Sequence, residues 1–251
     1  MSEPVLEVKN LCKRYPSFYL DNVSFSMPRG VIMGFIGRNG AGKTTTIKSI
    51  LNLVHKESGE IRYFGLDLAE HEQEIKERIG YAGGAVDYYK RKKIRDIVSV
   101  TKTFYKNWDE NAYRKYMDAF ELSEDKTPGQ LSEGMKVKMN LTLSLSHQAE
   151  LLILDEPTSG LDPISREELL DIFKALKETG VSILFSTHIT SDLDKCADLI
   201  TYIKGGKILA SEPMDSYLTR CRADGIGQNL EEIMLHFEKK EFSFGAANEE
   251  V

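Results

Sequence analysis

GRNGAGKTT, at residues 37–45, is the stretch that decides how the rest of the chain is arranged. It matches a phosphate-binding loop, in which one glycine and four free positions precede Gly-Lys-Thr. The apolar run at 31–36 predicts a buried strand before the loop, and residues 45–54 predict a helix after it. A glycine-rich loop in this setting brings backbone N–H groups and a helix N-terminus around a polyphosphate. The stretch therefore predicts a binding site for a nucleoside triphosphate.

Every residue of this loop is a candidate ligand of the nucleotide. Lys43 is expected to reach the β- and γ-phosphates, and the hydroxyl of Thr44 is expected to complete the shell of a Mg²⁺ ion. The full candidate set is Gly37, Arg38, Asn39, Gly40, Ala41, Gly42, Lys43, Thr44 and Thr45. Transporters, kinases, GTPases and helicases all use such a loop, so further motifs must separate them.

The composition narrows the class of protein. A chain of 251 residues, 41% of them hydrophobic, can build a core in one large or two small domains. A net charge of −6 argues against a nucleic-acid binder that works by bulk electrostatics. The three cysteines lack metal-ligand spacing and predict reduced thiols in a cytosolic protein. The start of the chain resembles no signal peptide, and no apolar run approaches the ~18 residues of a membrane helix. Another chain would have to supply any membrane span.

Hydrophobic patterns predict an α/β fold, with a P-loop core on a mainly parallel sheet, an antiparallel β region and a small helical lobe. Alternation at 5–11 and 23–27, with a break at 13–16, predicts the antiparallel region. Buried strands at 151–154 and 181–186, separated by a helix, predict the parallel sheet. Further predicted elements are helices at 70–78, 131–147, 165–178 and 230–237, and strands at 61–64, 199–203 and 208–210.

Charged, aromatic-rich residues from 94 to 122 favour a separate helical lobe, where the aromatic side chains pack helices more often than they stack on bases. The basic run at 90–93 precedes the lobe. Such a run is usually a solvated surface, and a docking patch for a partner or for anionic lipids is the alternative. The predicted division is a nucleotide-binding α/β core at 1–84 and 150–210, a helical lobe at 85–149, and a helical tail at 211–251.

Two acids and one histidine follow predicted buried strands. Asp155 is expected to hold Mg²⁺ through its water shell, while Glu156 orients or deprotonates the attacking water. His188 follows the next strand, where open α/β sheets bring residues to the ligand, and is a candidate to hydrogen-bond the γ-phosphate, although a lone histidine is more often structural. Tyr15 precedes the P-loop strand and is a candidate for stacking on adenine, although an ordinary surface or core tyrosine fits the pattern equally.

Five motifs in this order, GRNGAGKTT, LSEGM, LLILDEP, SGLD and Thr187-His188, resemble the ATP-binding cassette of ABC transporters. The resemblance covers residues 5 to about 210 and is strongest for single-cassette bacterial subunits of the multidrug or antibiotic-export type. It implies an ATPase that dimerises head to tail on ATP and drives a separate membrane permease for export. The second subunit is a copy of this chain or a related one. The implied location is the cytoplasm, on the inner face of the cell membrane.

The resemblance also assigns roles to residues. It implies that Tyr15 stacks on adenine, that Ser132 and Gly134 contact the γ-phosphate held by the opposite subunit, and that Asp162 links the two sites. It makes ATP and Mg²⁺ the bound molecules. The implied catalytic residues are Lys43, Glu156 and His188, and the implied metal ligands are Thr44 and Asp155.

Two positions depart from the family pattern. Glu133 and Met135 replace a glycine and a glutamine of the usual LSGGQ. Because a carboxylate beside a polyphosphate costs electrostatic energy, we expect Glu133 to point outward, or else ATP-driven closure to be weak. Gly84 stands where a metal-contacting glutamine that joins the two lobes is usual. Either Asp87 replaces it through a water, or the coupling of the metal to the helical lobe is looser than usual.

Two other classes fit less well. A soluble regulatory or translation-associated ATPase of the same family generally has two cassettes or long coiled-coil insertions, which this chain lacks. A GTPase or nucleoside kinase would leave the LSEGM motif unexplained, and the chain has no NKxD motif for reading guanine.

Overall fold

The computed structural model describes residues 3–83 and 91–239. The strands are β1 (Leu6–Tyr15), β2 (Phe18–Met27), β3 (Ile32–Ile36), β4 (Ser58–Tyr63), β5 (Leu66–Asp67), β6 (Ile79–Gly83), β7 (Leu151–Asp155), β8 (Ser182–Thr187), β9 (Leu199–Lys204) and β10 (Lys207–Pro213). The helices are α1 (Lys43–Ile50), α2 (Glu72–Glu77), α3 (Ile94–Thr101), α4 (Glu110–Ala119), α5 (Glu133–Ser146), α6 (Pro163–Glu178), α7 (Thr190–Cys196), α8 (Met214–Ala223) and α9 (Leu230–Glu238).

The main sheet has the strand order β10-β9-β3-β8-β7-β6. All of its pairs are parallel except β10 with β9, which form the predicted closing hairpin. Every residue of β3, β7 and β8 is buried, because helices or a second sheet cover both faces. The predicted α/β class with a mainly parallel sheet is confirmed.

The second sheet is antiparallel, with the order β2-β1-β4-β5. Its inner face and helix α1 enclose a cluster of buried side chains against the main sheet. The predicted break at 13–16 is wrong, because β1 runs to Tyr15 and pairs with Phe18 across a tight hairpin. Residues 14–17 are exposed, so cross-strand pairing rather than an alternating apolar face extends the strands here.

The helical lobe has its own small core. Helices α3, α4 and α5 bury Ile94, Val98, Tyr113 and Met139 together. The region 94–122, predicted to be a helical lobe, contains two α-helices, since α3 ends at Thr101 and the Asp109 side chain caps the start of α4. Of the lobe's aromatic residues, Tyr113 is buried, whereas Phe104 is 73% exposed.

The C-terminal helices pack on the main sheet. Tyr217 and Cys221 of α8 and Ile233 of α9 belong to the cluster of buried residues that covers its helical face. Helix α8 lies in the predicted tail, but the sequence analysis identified only α9 there. The proposed division into 1–84 with 150–210, 85–149 and 211–251 stays a prediction.

Two further facts bear on the setting of the protein. The three cysteines are buried free thiols. None of the helices within residues 3–83 and 91–239 combines the length and apolarity needed to cross a membrane.

Candidate nucleotide site

The P-loop joins the buried strand β3 to helix α1. Gly42 begins this helix with a φ of 116°, and a Cβ there would lie 2.8 Å from Phe18 and 2.9 Å from Leu20, so only glycine fits. Among the described residues, no side chain caps the first turn, whose first backbone bond is Thr46 N–H to Gly42 O. The N–H groups of Lys43, Thr44 and Thr45 therefore remain available to an anion.

Lys43 is held inside the loop with 5% of its side chain exposed. Its Nζ donates to the carbonyl of Gly37 at 2.7 Å and lies 3.0 Å from Oε1 of Glu156. Because a buried ammonium is costly unless it is paired, these two contacts account for its position.

The acid pair ends strand β7 and depends on Ser186 of the neighbouring strand. The Ser186 hydroxyl donates to Oδ1 of Asp155 at 2.6 Å, and the Glu156 N–H donates to the Ser186 Oγ at 2.9 Å. Glu156 has a φ of 53°, which is unusual outside glycine and needs such support. Ser186 is a site residue that the motifs do not predict, although a polar residue inside a buried strand just before Thr187-His188 is a usable signal.

His188 lies against the second acid. Its Nδ1 is 2.8 Å from Oε2 of Glu156. Since a carboxylate only accepts hydrogen bonds, Nδ1 is the donor in this contact, and Nε2 is the ring nitrogen that does not take part in it. Lys43, Glu156 and His188 thus form one connected chain of polar contacts.

Tyr15 lies beside the loop, as predicted. It shares a surface pocket of about 860 Å³ with the P-loop, a volume within the usual range for small-molecule sites. The predicted residues that line this pocket are Tyr15, Arg38, Asn39, Gly40, Gly42, Lys43, Thr44, Thr45 and Glu156. We call these residues, with Asp155 and His188, the P-loop half of the site.

Arg38 connects the loop to the C-terminal helix. Its Nη1 donates to the carbonyl of Glu238 at 3.4 Å, and Lys204 donates to the carbonyl of Phe237. These two carbonyls belong to the last turn of α9, where no N–H group of the same helix is available to bond them. Arg38 therefore helps to cap α9.

Ser132, Gly134 and Asp162 lie together elsewhere, and we call them the LSEGM half. Ser132 caps helix α5, and its Oγ accepts the Met135 N–H at 3.3 Å. A Cβ on Gly134 would lie 3.6 Å from Ser165. Asp162 caps α6, and the hydrogen bond from the Ser165 hydroxyl is the main reason that its pKa is lowered. Across residues 3–83 and 91–239, none from 131–134 lines the P-loop pocket.

Glu133 points outward, as expected. Its side chain is 59% exposed and pairs with Lys136 at 2.6 Å. It also borders a cavity of about 250 Å³ that is lined by Asp155 and Glu156. The other departures, Gly84 and Asp87, lie outside the described residues.

A buried strand, a glycine-rich loop opening a helix, and acids at the ends of parallel strands define a P-loop nucleotide hydrolase. The model of one family within this class, described as ABC transporter, matches residues 20–159. The chain belongs to the ABC transporter family, and it is an ATP-hydrolysing, ATP-binding subunit.

Relatives and a solved structure agree with this assignment. The bacitracin transport ATP-binding protein BcrA of Bacillus licheniformis is 35% identical over 222 residues, covering 87% of this chain and 72% of BcrA. The lantibiotic transport ATP-binding protein SrtF of Streptococcus pyogenes is 34% identical over 242 residues, covering 94% of this chain and all of SrtF. A solved ATP-binding subunit of an ABC transporter superposes with a TM-score of 0.82 at 29% identity, covering 94% of this chain and 100% of that one.

Proposed function

We propose that two such subunits meet head to tail, so that the P-loop half of each faces the LSEGM half of the other. The observation that carries this proposal is the position of Ser132, which starts a helix, is exposed, and does not line the P-loop pocket of its own chain. Each chain thus carries two incomplete parts of one site. A second copy of this chain, or a related subunit, completes both.

The start of α5 suits a phosphate. A helix N-terminus offers free N–H groups and roughly half a positive charge. The backbone at Gly134 is open to a ligand from outside. Even a Cβ added there would lie 3.6 Å from Ser165, its nearest neighbour in the same chain, so that chain does not fill the space beside it. The hydrogen bond from the Met135 N–H to the Ser132 Oγ is long, at 3.3 Å, so a phosphate oxygen can readily replace the Ser132 Oγ as the acceptor.

We assign the catalytic steps to Lys43, Glu156 and His188. Lys43 now pairs with Glu156. When ATP binds, its phosphates compete for the ammonium, and Glu156 is released to accept a proton from the attacking water. His188 bonds the other oxygen of Glu156 through Nδ1 at 2.8 Å and so orients the carboxylate. Its second ring nitrogen, Nε2, is then available to bind the γ-phosphate.

The residues also fit Mg²⁺. Ser186 occupies Oδ1 of Asp155, and within the described residues Oδ2 accepts no hydrogen bond, so it is available to a metal's water shell. Thr44 is exposed in the first turn of α1. A hard cation that keeps several waters prefers such a sparse set of oxygen ligands. Mg²⁺ would neutralise charge on the β- and γ-phosphates.

We propose that the subunit drives export, in the cytoplasm at the inner face of the cell membrane. Support comes from the relatives' names, which concern bacitracin and lantibiotic transport. A further support is a groove between lobe and core, of about 300 Å³. Near it, Phe104 and Leu53 are 73% and 53% exposed, and two exposed apolar side chains beside one groove suit a contact with a partner.

Gel filtration of a slowed enzyme tests the dimer. Glu156→Gln should still bind ATP and should accumulate as an ATP-bound dimer, because the general base is lost while the contacts remain. Adding Gly134→Asp should abolish that dimer, since a carboxylate then faces the γ-phosphate. Asn111→Asp, which puts the same charge at the exposed start of α4, is the control. A monomeric Glu156→Gln protein that still hydrolyses ATP would contradict the proposal.

Co-purification tests the membrane partner. Phe104→Glu should weaken retention on membranes from the source cells while the ATPase activity of the isolated subunit persists. Leu209→Glu changes another apolar residue, 46% exposed on β10, and should have no effect on retention. Capture by ribosomes with no retention on membranes would favour the soluble ATPase class instead.

A further inference from the structure

At the end of strand β6, the side chain of Tyr81 lies over Gly83. A Cβ built on Gly83 would lie 1.9 Å from the hydroxyl oxygen of Tyr81 and 2.4 Å from its Cζ. The Tyr81 ring is therefore folded over Gly83, and the phenol oxygen occupies the place where a side chain at Gly83 would begin. Only a glycine at this position permits that arrangement.

The register of the sheet shows what lies beside that oxygen. Gly83 is the partner of Asp155 on β7, and Asp155 is the partner of Ser186 on β8. Partners on neighbouring strands project from the same face, about 5 Å apart. The hydrogen bond of 2.6 Å between Ser186 and Asp155 shows that these two side chains do so. The row on this face therefore runs from the Tyr81 hydroxyl through Asp155 to Ser186.

This face is the one that carries the P-loop. Tyr81 packs on the cluster that includes Ile47 and Ile50 of α1 and Ile153, which is two residues before Asp155 on β7. Residues two apart on a strand share a face, so Asp155 also points toward the P-loop side. Burial first, and then the charge of Asp155, raise the pKa of Tyr81, so its hydroxyl stays protonated and can donate at neutral pH.

We propose that Tyr81 is a positioning residue for Asp155: its hydroxyl, placed by Gly83, donates a hydrogen bond to the water shell that Asp155 holds, on the side opposite Ser186. The inference rests on the proposed metal-binding role of Asp155. It supplies a polar group beside the metal site in a chain whose Gly84 has no side chain to offer. Tyr81 orients the waters and does not touch the reacting atoms.

Two variants test the geometry from opposite directions. Tyr81→Phe removes the oxygen and keeps the ring. Gly83→Ala keeps the oxygen but displaces it, because the new Cβ claims its place; Gly83 does not have a positive φ, so alanine does not strain the backbone. Tyr116→Phe, on α4 of the lobe, is the control for loss of a phenol oxygen.

The measurement is the binding of Mn²⁺ to the protein with ADP, followed by electron paramagnetic resonance. Tyr81→Phe and Gly83→Ala should each weaken Mn²⁺ binding about tenfold, as is usual when an outer-shell partner is lost. Binding of ADP in EDTA and the thermal unfolding midpoint should stay as in the parent and in Tyr116→Phe. These unchanged readouts separate a positioning role from a structural one.

The outcomes are distinct. Unchanged Mn²⁺ binding in both variants overturns the proposal, and a loss in Tyr81→Phe without a loss in Gly83→Ala overturns the placement of the hydroxyl by Gly83. Asp155→Asn serves as a reference. If Asp155→Asn itself binds Mn²⁺ normally, the proposed metal role of Asp155 fails, and the inference about Tyr81 fails with it for that separate reason.

Discussion

The two halves of the candidate site are built in different ways. In the P-loop half, the functional side chains are bonded to one another, with Lys43 on Glu156, Glu156 on His188, and Ser186 on Asp155. In the LSEGM half, Ser132 and Asp162 are used to begin helices α5 and α6. The first half is organised by a single chain, whereas the second offers helix starts to something outside that chain. Catalytic geometry and dimer formation should therefore respond to different mutations.

Lys43→Ala should have the largest effect on activity, and it should alter only the P-loop half. The variant loses the cation that binds the phosphates and leaves Glu156 without its partner. We expect turnover to fall at least about 100-fold, the scale of losing one preorganised electrostatic contact. ATPase assays and binding of a fluorescent nucleotide measure this. Lys48→Ala, at an exposed position on the same helix, should behave as the parent; equal activity in both variants would refute the role of Lys43.

Ser186→Ala should have the next largest effect on activity. It tests how far Asp155 and Glu156 depend on Ser186 of the neighbouring strand. Asp155 loses a hydrogen bond to a charged group, and the N–H of Glu156 loses one of its acceptors. We expect kcat to fall about tenfold, equivalent to about 1.4 kcal/mol. Ser182→Ala is the control, because it removes a buried hydroxyl from the other end of the same strand, where the Ser182 Oγ accepts the Gly30 N–H. Similar kinetics in the two variants would show that the acids do not need Ser186.

Ser132→Ala should separate the two halves most clearly. Loss of the cap of α5 should lower the free energy of unfolding by about 1 kcal/mol. Asp109→Ala removes the cap of α4 and should have a similar effect on stability. In the Glu156→Gln background, Ser132→Ala alone should also reduce the ATP-bound dimer on gel filtration. If both variants dimerise equally, Ser132 serves only as a cap.

The smallest effect is expected at the far end of the same helix. His147 follows α5, stacks on Tyr105 at 3.8 Å, and lies 3.1 Å from the carbonyl of Glu77. Burial lowers the pKa of His147. Below the pKa of about 6.5 that a histidine has in the unfolded chain, the unfolded chain binds more protons than the folded one. The free energy of unfolding therefore decreases as the pH is lowered.

Between pH 6.5 and 5.5 protonation of His147 in the unfolded chain should remove at most about 1 kcal/mol from the free energy of unfolding. Chemical denaturation at several pH values measures it. His147→Phe keeps a stacked ring and removes the titration, so its stability should depend less on pH in this window. A slope equal to that of the parent would assign the pH dependence to other groups.

Local patterns were enough to predict most of the P-loop half. The strand, the loop and α1 are consecutive, and the acid pair directly follows a buried strand, so each can be recognised without knowing the fold. Ser186 and Tyr81 were not recognised as site residues because their importance depends on register. Only the pairing of β6, β7 and β8 places them on either side of Asp155.

Two other misses also have physical causes. The hairpin at Tyr15 is exposed and has no apolar face, so an alternation rule ended β1 too early. Helix α8 buries Met214, Tyr217 and Cys221, a mixed set that makes a weak apolar stripe. Side-chain pairing was equally hidden, since nothing in the spacing indicates that Lys43 contacts Glu156.

The cap that Arg38 gives to α9 has a consequence for how the protein is made. Synthesis runs from the N-terminus to the C-terminus, and α9 is the last helix among the described residues. The phosphate loop is translated roughly 200 residues before the carbonyl of Glu238, which its arginine contacts. A nascent chain therefore carries the loop through the synthesis of roughly 200 further residues before that contact can form. The contact between Arg38 and α9 is thus made only after the rest of the described nucleotide site has been translated.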